Sequence, residues 1–317
     1  MSQTSYGHHV PVLLNHCLNL LLPAVDQPVL LDLTFGAGGH SGAFLAKYPD
    51  LTLVAVDQDE QAIINARQMI ESKQWQDRVE LVHQNFLEFM KETQQTFDLI
   101  LADIGVSSHQ LDCDQRGFSF QADAALDMRM DQNQSFTAYH LVNEYSQEEL
   151  IRVIREYGEE RYWQNIVSNI VEQRARKKIL TTKQLENICF HSYPARTRFK
   201  GIHPATRTFQ AIRIEVNREL DVLKEVIPLC YEKLNQDGSL GIISFHSLED
   251  RIVKQTFKEI AHKNENCAIL TKKPLVATEH EIKFNKRSRS AKLRVLKKSR
   301  GNNEKKKKRK KDSGSLV

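Results

Sequence analysis

Between Val29 and Ile104, four short apolar runs alternate with helical patterns, and no other feature restricts the fold so strongly. Val29 to Leu33, Leu51 to Val56, Val79 to Val82 and Phe97 to Ala102 read as buried strands, with Glu60 to Ser72 and Phe86 to Gln95 as helices between them. Strands and helices at this spacing require right-handed crossovers, hence an α/β fold with a parallel sheet covered on both faces. After Asp112 the pattern changes. From there to His203 the sequence shows helix starts and no strand: Ser146 with Glu149, and Thr181 with Gln184, fit capping boxes. The α/β pattern returns in a long amphipathic helix carrying Phe209, Ile212, Val216, Leu220, Leu223 and Ile227, expected to bend at Pro228. A turn at Asp237-Gly238, a strand from Ser239 to Phe245, a helix capped by Ser247 with Asp250, and a strand pair within Ile269 to Val295 complete the pattern.

One domain interrupted by another explains this order. Residues 1–111 and 204–300 form the sheet domain, 112–203 an inserted helical domain, and 301–317 a basic, disordered tail. A length of 317 residues suits two cores better than one. The five cysteines are scattered without a CxxC pair, which excludes a disulfide framework and a zinc ribbon, and no metal site is expected. No membrane-length apolar run and no leader pattern occur, so the expectation is a cytoplasmic protein away from membranes. The net charge of +5 hides a split: from Lys286 onward there are 15 Lys and Arg against two acids, and the rest sums to −8. That asymmetry implies a polyanionic partner, of which nucleic acid is the common case, or a solubilising tail.

The first strand runs into Gly36-Ala37-Gly38-Gly39-His40-Ser41, a glycine turn opening a helix. Glycines let the backbone turn sharply and approach a ligand, although the third glycine of the dinucleotide fingerprint is replaced by Ser41. Asp57 ends the second strand 19 residues beyond Gly38, where a carboxylate can accept hydrogen bonds from both ribose hydroxyls of an adenosine cofactor. A merely structural turn is the alternative. Nicotinamide dinucleotides and S-adenosylmethionine both fit this layout. Asp103 closes the fourth strand beside the ligand crevice, placed to hydrogen-bond an amine nucleophile next to a methyl donor, or else to cap a helix. No second mononucleotide-binding half is present, which disfavours a dinucleotide.

Together with later stretches of the chain, these residues resemble the bacterial 16S ribosomal RNA cytosine-N4 methyltransferase family over nearly the whole length. The matching stretches, in order, are His9 to Leu14, Asp32 to Ser41, Asp103 to Asp112, Arg116 to Phe120, Leu126 to Asp131, His203 to Gln210, Ile243 to Arg251 and Arg287 to Arg294. Asn15, Ala125 and Lys286 depart from the pattern, and the lysine-rich tail is no part of it. The resemblance implies a class I, Rossmann-like methyltransferase sheet and S-adenosylmethionine as cofactor. It places Gly38, Gly39 and His40 at the methionine end, Asp57 at the ribose and Phe86 by the adenine, with Asp103 and Gln110 completing the pocket. The implied reaction is methylation of a cytosine N4 amine in the decoding region of small-subunit RNA, in an assembled subunit. A homodimer is compatible with it, and a non-catalytic RNA-binding assembly factor on the same fold is the alternative.

Methyl transfer from a sulfonium needs a positioned lone pair and no covalent intermediate, so no cysteine nucleophile is required. The cytosine amine is a weak nucleophile, and Asp103 is the catalytic candidate to accept its hydrogen bond. The Asp/Asn-Pro-Pro-aromatic motif of many amino-methyltransferases is absent from Asp103 to Val106. Phe245 and His246 come directly after the fifth strand and are expected near the unstacked base. Arg174 to Arg207 holds nine basic residues and one acid, with Phe190, Tyr193 and Phe199 interleaved. Arg207, Arg287 and Arg289 belong to two further stretches expected to line the RNA site.

Overall fold

A computed structural model describes residues 11–105 and 114–299. His9, Val10, Gln110 and the lysine run 305–311 lie outside the described residues. The chain divides after Gly105 and after Leu220 into two compact units, one discontinuous, the other formed by the stretch between these points.

In the discontinuous unit, α1 (Leu14–Leu20) precedes β1 (Val29–Asp32), α2 (Gly39–Lys47), β2 (Thr52–Asp57), α3 (Glu60–Ser72), β3 (Val79–His83), α4 (Phe86–Glu92) and β4 (Phe97–Asp103). The sheet order is β3-β2-β1-β4, continued by β5 (Leu234–Ser244) and then β8 (Lys292–Lys298) and β6 (Cys267–Ile269), with β7 (Leu275–Val276) also on β8. The first five strands pair in parallel and β8 pairs antiparallel to its neighbours. Apolar runs are needed because both faces are covered. Leu31, Val54, Ile100 and Ile242 enter one core with Met90, Ile227 and Phe257, while Leu30, Leu53, Leu99 and Ile243 enter another with Cys17, Phe44 and Ala66. β1 is the switch point. From it the chain moves first to β2 on one side and later to β4 on the other, so the loops after β1 and β4 diverge and leave a crevice at their carboxyl ends.

The second unit is helical: α5 (Ala138–Glu144), α6 (Gln147–Arg152), α7 (Trp163–Arg176), α8 (Thr182–Ser192) and α9 (Thr206–Asn217) surround one core. A π-helical turn, Val153–Tyr157, continues α6. Capping boxes at Ser146 and Thr181 start α6 and α8. The insert expected at 112–203 is longer, because Phe209, Ala211, Ile212 and Val216 of α9 pack among Leu141, Ile154 and Ile166. Nor is the amphipathic helix bent at Pro228. It breaks at Arg218, whose φ is 50°, between α9 and α10 (Glu219–Glu232), and α10 runs through Pro228. The Asn217 amide explains the break: it donates to the Met128 and Arg213 carbonyls and accepts from the Met130 N–H, which holds the end of α9 in place.

Two further elements differ from the sequence expectation. Asp237, at φ 66°, lies within β5, whose pairing with β4 shifts register between Phe97 and Leu99. The cap of α11 (Ser247–Lys263) is His246 rather than Ser247, and its boxed partner is Glu249. Asp250 turns instead to Arg294, accepting two hydrogen bonds of 2.6 and 3.2 Å. A short α12 (Glu279–Phe284) precedes β8. No helix among the described residues is long and apolar enough to cross a membrane.

Candidate active site

The loop after β1 is held by a clamp. Asp32, fully buried, accepts from the Thr34 N–H at 3.1 Å and from the Ser41 hydroxyl at 2.5 Å. Ser41 occupies the position of the third fingerprint glycine, so that departure has a use: its hydroxyl ties the first turn of α2 to the end of β1. Burial pushes the Asp32 carboxyl upward, against the Ser41 hydroxyl and nearby His40. Gly38 caps α2 at φ 71°, and a Cβ there would come within 2.5 Å of Met69 and 2.6 Å of Phe35. Gly36, at φ 54°, has among the described residues only the Thr34 carbonyl within reach of a Cβ, at 3.8 Å, and sends its N–H to Asp57. A left-handed backbone with no side chain of its own is what a ligand lying against the loop requires.

Asp57 ends β2 with each carboxylate oxygen on a backbone donor, Oδ2 on Gly36 at 2.8 Å and Oδ1 on Asp59 at 2.9 Å. Each oxygen keeps a second lone pair, so two ribose hydroxyls can still be accepted. Burial pushes this carboxyl up to about 6; the two N–H bonds oppose that, and Asp59 and Asp32 add to it. Next to it, the Asn85 amide donates to Gln58 Oε1 at 2.8 Å while its oxygen caps α4. Phe86 comes next, half-buried, against the core beneath.

Asp103 ends β4 and donates its N–H to Thr34 Oγ1 at 2.6 Å, which joins the β1 loop to this strand. Its side chain keeps 27% exposure, and Oδ1 is buried without a hydrogen-bond partner among the described residues. Oδ2 stands 3.7 Å from Nδ1 of His40, in the first turn of α2, and Nε2 of that ring donates to the Val12 carbonyl at 2.9 Å. Burial pushes Asp103 up to about 6; His40 opposes that, while Asp32 and Glu249 reinforce it.

The structure thus brings Gly38, Gly39, His40, Asp57, Phe86 and Asp103 to the carboxyl ends of β1, β2, β3 and β4 or to the segments directly beyond them. Asp32, Thr34 and Ser41 join them without having been assigned a role from sequence; the replaced glycine was the available signal. Phe245 and His246 come after β5 and are tied to the start of α11. The Phe245 N–H donates to Glu249 Oε2 at 2.7 Å, and His246 Nε2 lies 3.1 Å from Glu249 Oε1. Arg287 and Arg289 lie in the 3-10 turn Lys286–Ser290, half-buried and exposed respectively.

Arg207, in the second unit, donates to the Glu159 carbonyl. The basic stretch there divides. Arg174 is spent on the carbonyls of Val142 and Tyr145, and Tyr193 bonds Glu160 through its hydroxyl at 2.7 Å, so both are structural. Phe120, His203 and Phe190 stack in succession at 4.6 and 6.0 Å. Arg198 lies 5.3 Å over Phe190, and Phe199 is 86% exposed beside it.

A glycine turn at the switch point, a ribose-type acid on β2, an acid closing β4 and a single nucleoside-binding half together define a class I methyltransferase architecture. Residues 6–299 match the model of the MraW methylase family. "Ribosomal RNA small subunit methyltransferase H" of Clostridioides difficile (strain 630) is 44% identical over 310 residues, 92% of this chain and 99% of its own. The protein of the same name from Picosynechococcus sp. is 49% identical over 264 residues, 83% of this chain and 88% of its own. An rRNA methylase structure from Streptococcus thermophilus aligns over 90% of this chain and 94% of that one, at TM-score 0.41 and 11% identity, too distant to carry an argument. The chain belongs to the MraW methylase family.

Proposed function

We propose that this protein transfers a methyl group from S-adenosylmethionine to the exocyclic N4 amine of one cytosine in the decoding region of 16S ribosomal RNA. It does so in the cytoplasm, on an assembled small subunit. The observation that carries the reading is Asp103: a carboxylate at the end of β4, joined to the cofactor loop through Thr34, with one oxygen left unbonded among the described residues. A non-catalytic platform would gain nothing from holding an acid where burial works against its charge.

S-adenosylmethionine supplies the methyl group on a sulfonium centre. The residues present fit it: Gly36, left-handed at φ 54° and without a side chain, meets no side chain of the described residues within 4 Å of its Cβ position, and Asp57 keeps two lone pairs for the ribose. Gly38, Gly39 and His40 would hold the methionine end and Phe86 would pack by the adenine. Asp103 accepts a hydrogen bond from the amine and draws its lone pair out of conjugation with the ring. Phe245 flanks the base. His246, whose Nδ1 accepts from the Glu249 N–H at the α11 cap while Nε2 lies 3.1 Å from Glu249 Oε1, can offer a ring face.

The names of the relatives support small-subunit RNA as substrate. The second unit supports a structured substrate, because exposed Phe199 with Arg196, Arg198 and Lys200 offers a stacking face among phosphate-binding cations. Remote phosphate contacts can position a weak nucleophile. The test is transfer of labelled methyl to small subunits from cells lacking the protein, to naked RNA and to cytidine, with mass identification of the product nucleoside. N4-methylcytidine formed in subunits and not from free cytidine is the expected result. A product methylated on carbon or ribose oxygen, or efficient use of cytidine, overturns the reading.

A further inference from the structure

His40 presents an arrangement that a cofactor contact does not require. A carbonyl oxygen only accepts, so the 2.9 Å contact to Val12 fixes the ring proton on Nε2. Nδ1 is then a lone pair, and it faces another acceptor, Asp103 Oδ2, at 3.7 Å. Two acceptors facing one another without a hydrogen are mismatched; one added proton lets the contact close into a charge-assisted hydrogen bond. The other carboxylate oxygen, Oδ1, is the buried atom without a partner among the described residues. The pair can therefore take up one proton, and the Asp103 side chain keeps 27% exposure through which an amine can approach.

We propose that His40 and Asp103 form a proton-sharing pair that receives the proton shed by the acceptor amine, Asp103 meeting the amine and His40 acting as a positioning residue. This rests on the N4-methylation reading. When the amine nitrogen gains a methyl group, its lone pair becomes the new N–C bond, and the electron pair of the methyl–sulfur bond that breaks would stay on the cofactor's sulfur as a neutral thioether. An N–H bond must then break, its electron pair returning to nitrogen and its proton passing to the Asp103 carboxylate. That proton is shared with His40 Nδ1 and leaves to solvent with the product. No other co-reactant is needed.

Among the described residues, the charged and titratable groups facing Asp103 are His40 on α2, Asp32 at the end of β1, Glu249 on α11 and Cys17 on α1, whose thiol Asp103 helps to push up. Of these, His40 is the one that favours the charged carboxylate. His40→Gln keeps a donor for Val12 but has no basic nitrogen for Asp103. Turnover at saturating cofactor and RNA should fall at least about 30-fold, below the roughly 100-fold of a directly lost proton-transfer group because His40 acts through Asp103. The acid limb of its pH profile should also move to higher pH, because the remaining neighbours disfavour the carboxylate. A residue that only shaped the pocket would not move that limb.

Nitrogen-15 NMR of the cofactor-free wild-type protein reads the pair without turnover. In its neutral form His40 should show a protonated Nε2 and a bare Nδ1, and Asp103→Asn should move the Nδ1 resonance. A protonated Nδ1 with bare Nε2 overturns the pair even if His40→Gln does not fold. So does turnover within threefold of wild type with an unmoved acid limb. If the wild-type product is not N4-methylcytidine, the functional reading fails and the pair with it; a correct product with an unaffected His40→Gln removes the pair alone.

Discussion

Asp103 should cost this fold stability, by an amount that depends on pH. Its carboxyl is pushed from 3.8 to about 6, roughly two units, which at about 1.4 kcal/mol per unit corresponds to about 3 kcal/mol. The folded-state value is raised above the unfolded one. The contribution is therefore fully present below about pH 3.8, where both states are protonated, and is lost as pH rises through about 6. Asp103→Asn removes the charge and keeps the shape, so the cofactor-free variant should be more stable than wild type at pH 8, by about 1–3 kcal/mol after relaxation. At pH 4 the gain should shrink by at least about 1 kcal/mol, since the wild-type carboxyl is then mostly protonated. Asp57 contributes to both proteins and cancels in the difference, whereas Asp32, whose charge raises Asp103, is relieved by the substitution in the same direction. Two compact units make a single global transition unsafe, and the two tryptophans resolve this, because Trp75 lies in the discontinuous unit and Trp163 in the helical one. Urea titrations in a Trp163→Phe background, followed by Trp75 fluorescence, report the unit that holds Asp103. An equal gain at both pH values, or no gain at pH 8, would refute the reasoning that burial of charge sets the cost.

Three other outcomes are expected. Asp57→Ala should weaken S-adenosylmethionine binding at least about tenfold by calorimetry, and wild-type affinity should fall as pH drops through about 6, because the protonated acid is a poorer acceptor for two hydroxyls. Phe199→Ala should weaken RNA binding by about 1–3 kcal/mol in filter binding and leave cofactor affinity unchanged, whereas Tyr193→Phe should lower the melting temperature of the helical unit and spare RNA affinity. Removing residues 305–317, with their seven consecutive basic residues, should flatten the salt dependence of RNA binding and leave turnover on saturating subunits intact.

The first four strands were legible to within a residue or so, since strands covered on both faces are written as continuous apolar runs. The far edge was less so: β7 has two residues and β6 three, too short for any periodicity. The break at Arg218 was hidden because the apolar spacing runs straight through it, and a tertiary contact, the Asn217 amide on the Met128 and Met130 backbone, decides where α9 stops. At α11 the pattern misled. Ser247 with Asp250 satisfies the usual cap spacing, but a buried Glu249 bonds the backbone of Phe245 and His246 and moves the cap back one residue. In the site, Asp57 and Asp103 were legible because chain topology alone puts strand-ending acids at the crevice. The Asp32 to Ser41 clamp and the His40 to Asp103 approach depend on how the turn closes, which spacing does not report.

That closure also decides between the two cofactor classes the glycine turn left open. A dinucleotide would bring a doubly negative pyrophosphate to the first turn of α2, where helix N–H groups ordinarily receive it. Here that turn already serves an anion: Asp32 is bonded to Ser41 within it. Asp57 and Asp103 end the flanking strands, and all three carboxyls are pushed upward by burial, the neighbouring acids raising Asp57 and Asp103 further. Among the described residues no lysine or arginine offsets these shifts; His40 is the basic side chain acting on Asp32 and Asp103. A pyrophosphate would add like charge to this cluster in a region of low dielectric, and a sulfonium with an α-ammonium group would relieve it. The glycine turn by itself admits either ligand, but the acids around it make the cationic methyl donor the one that lowers the energy of the site.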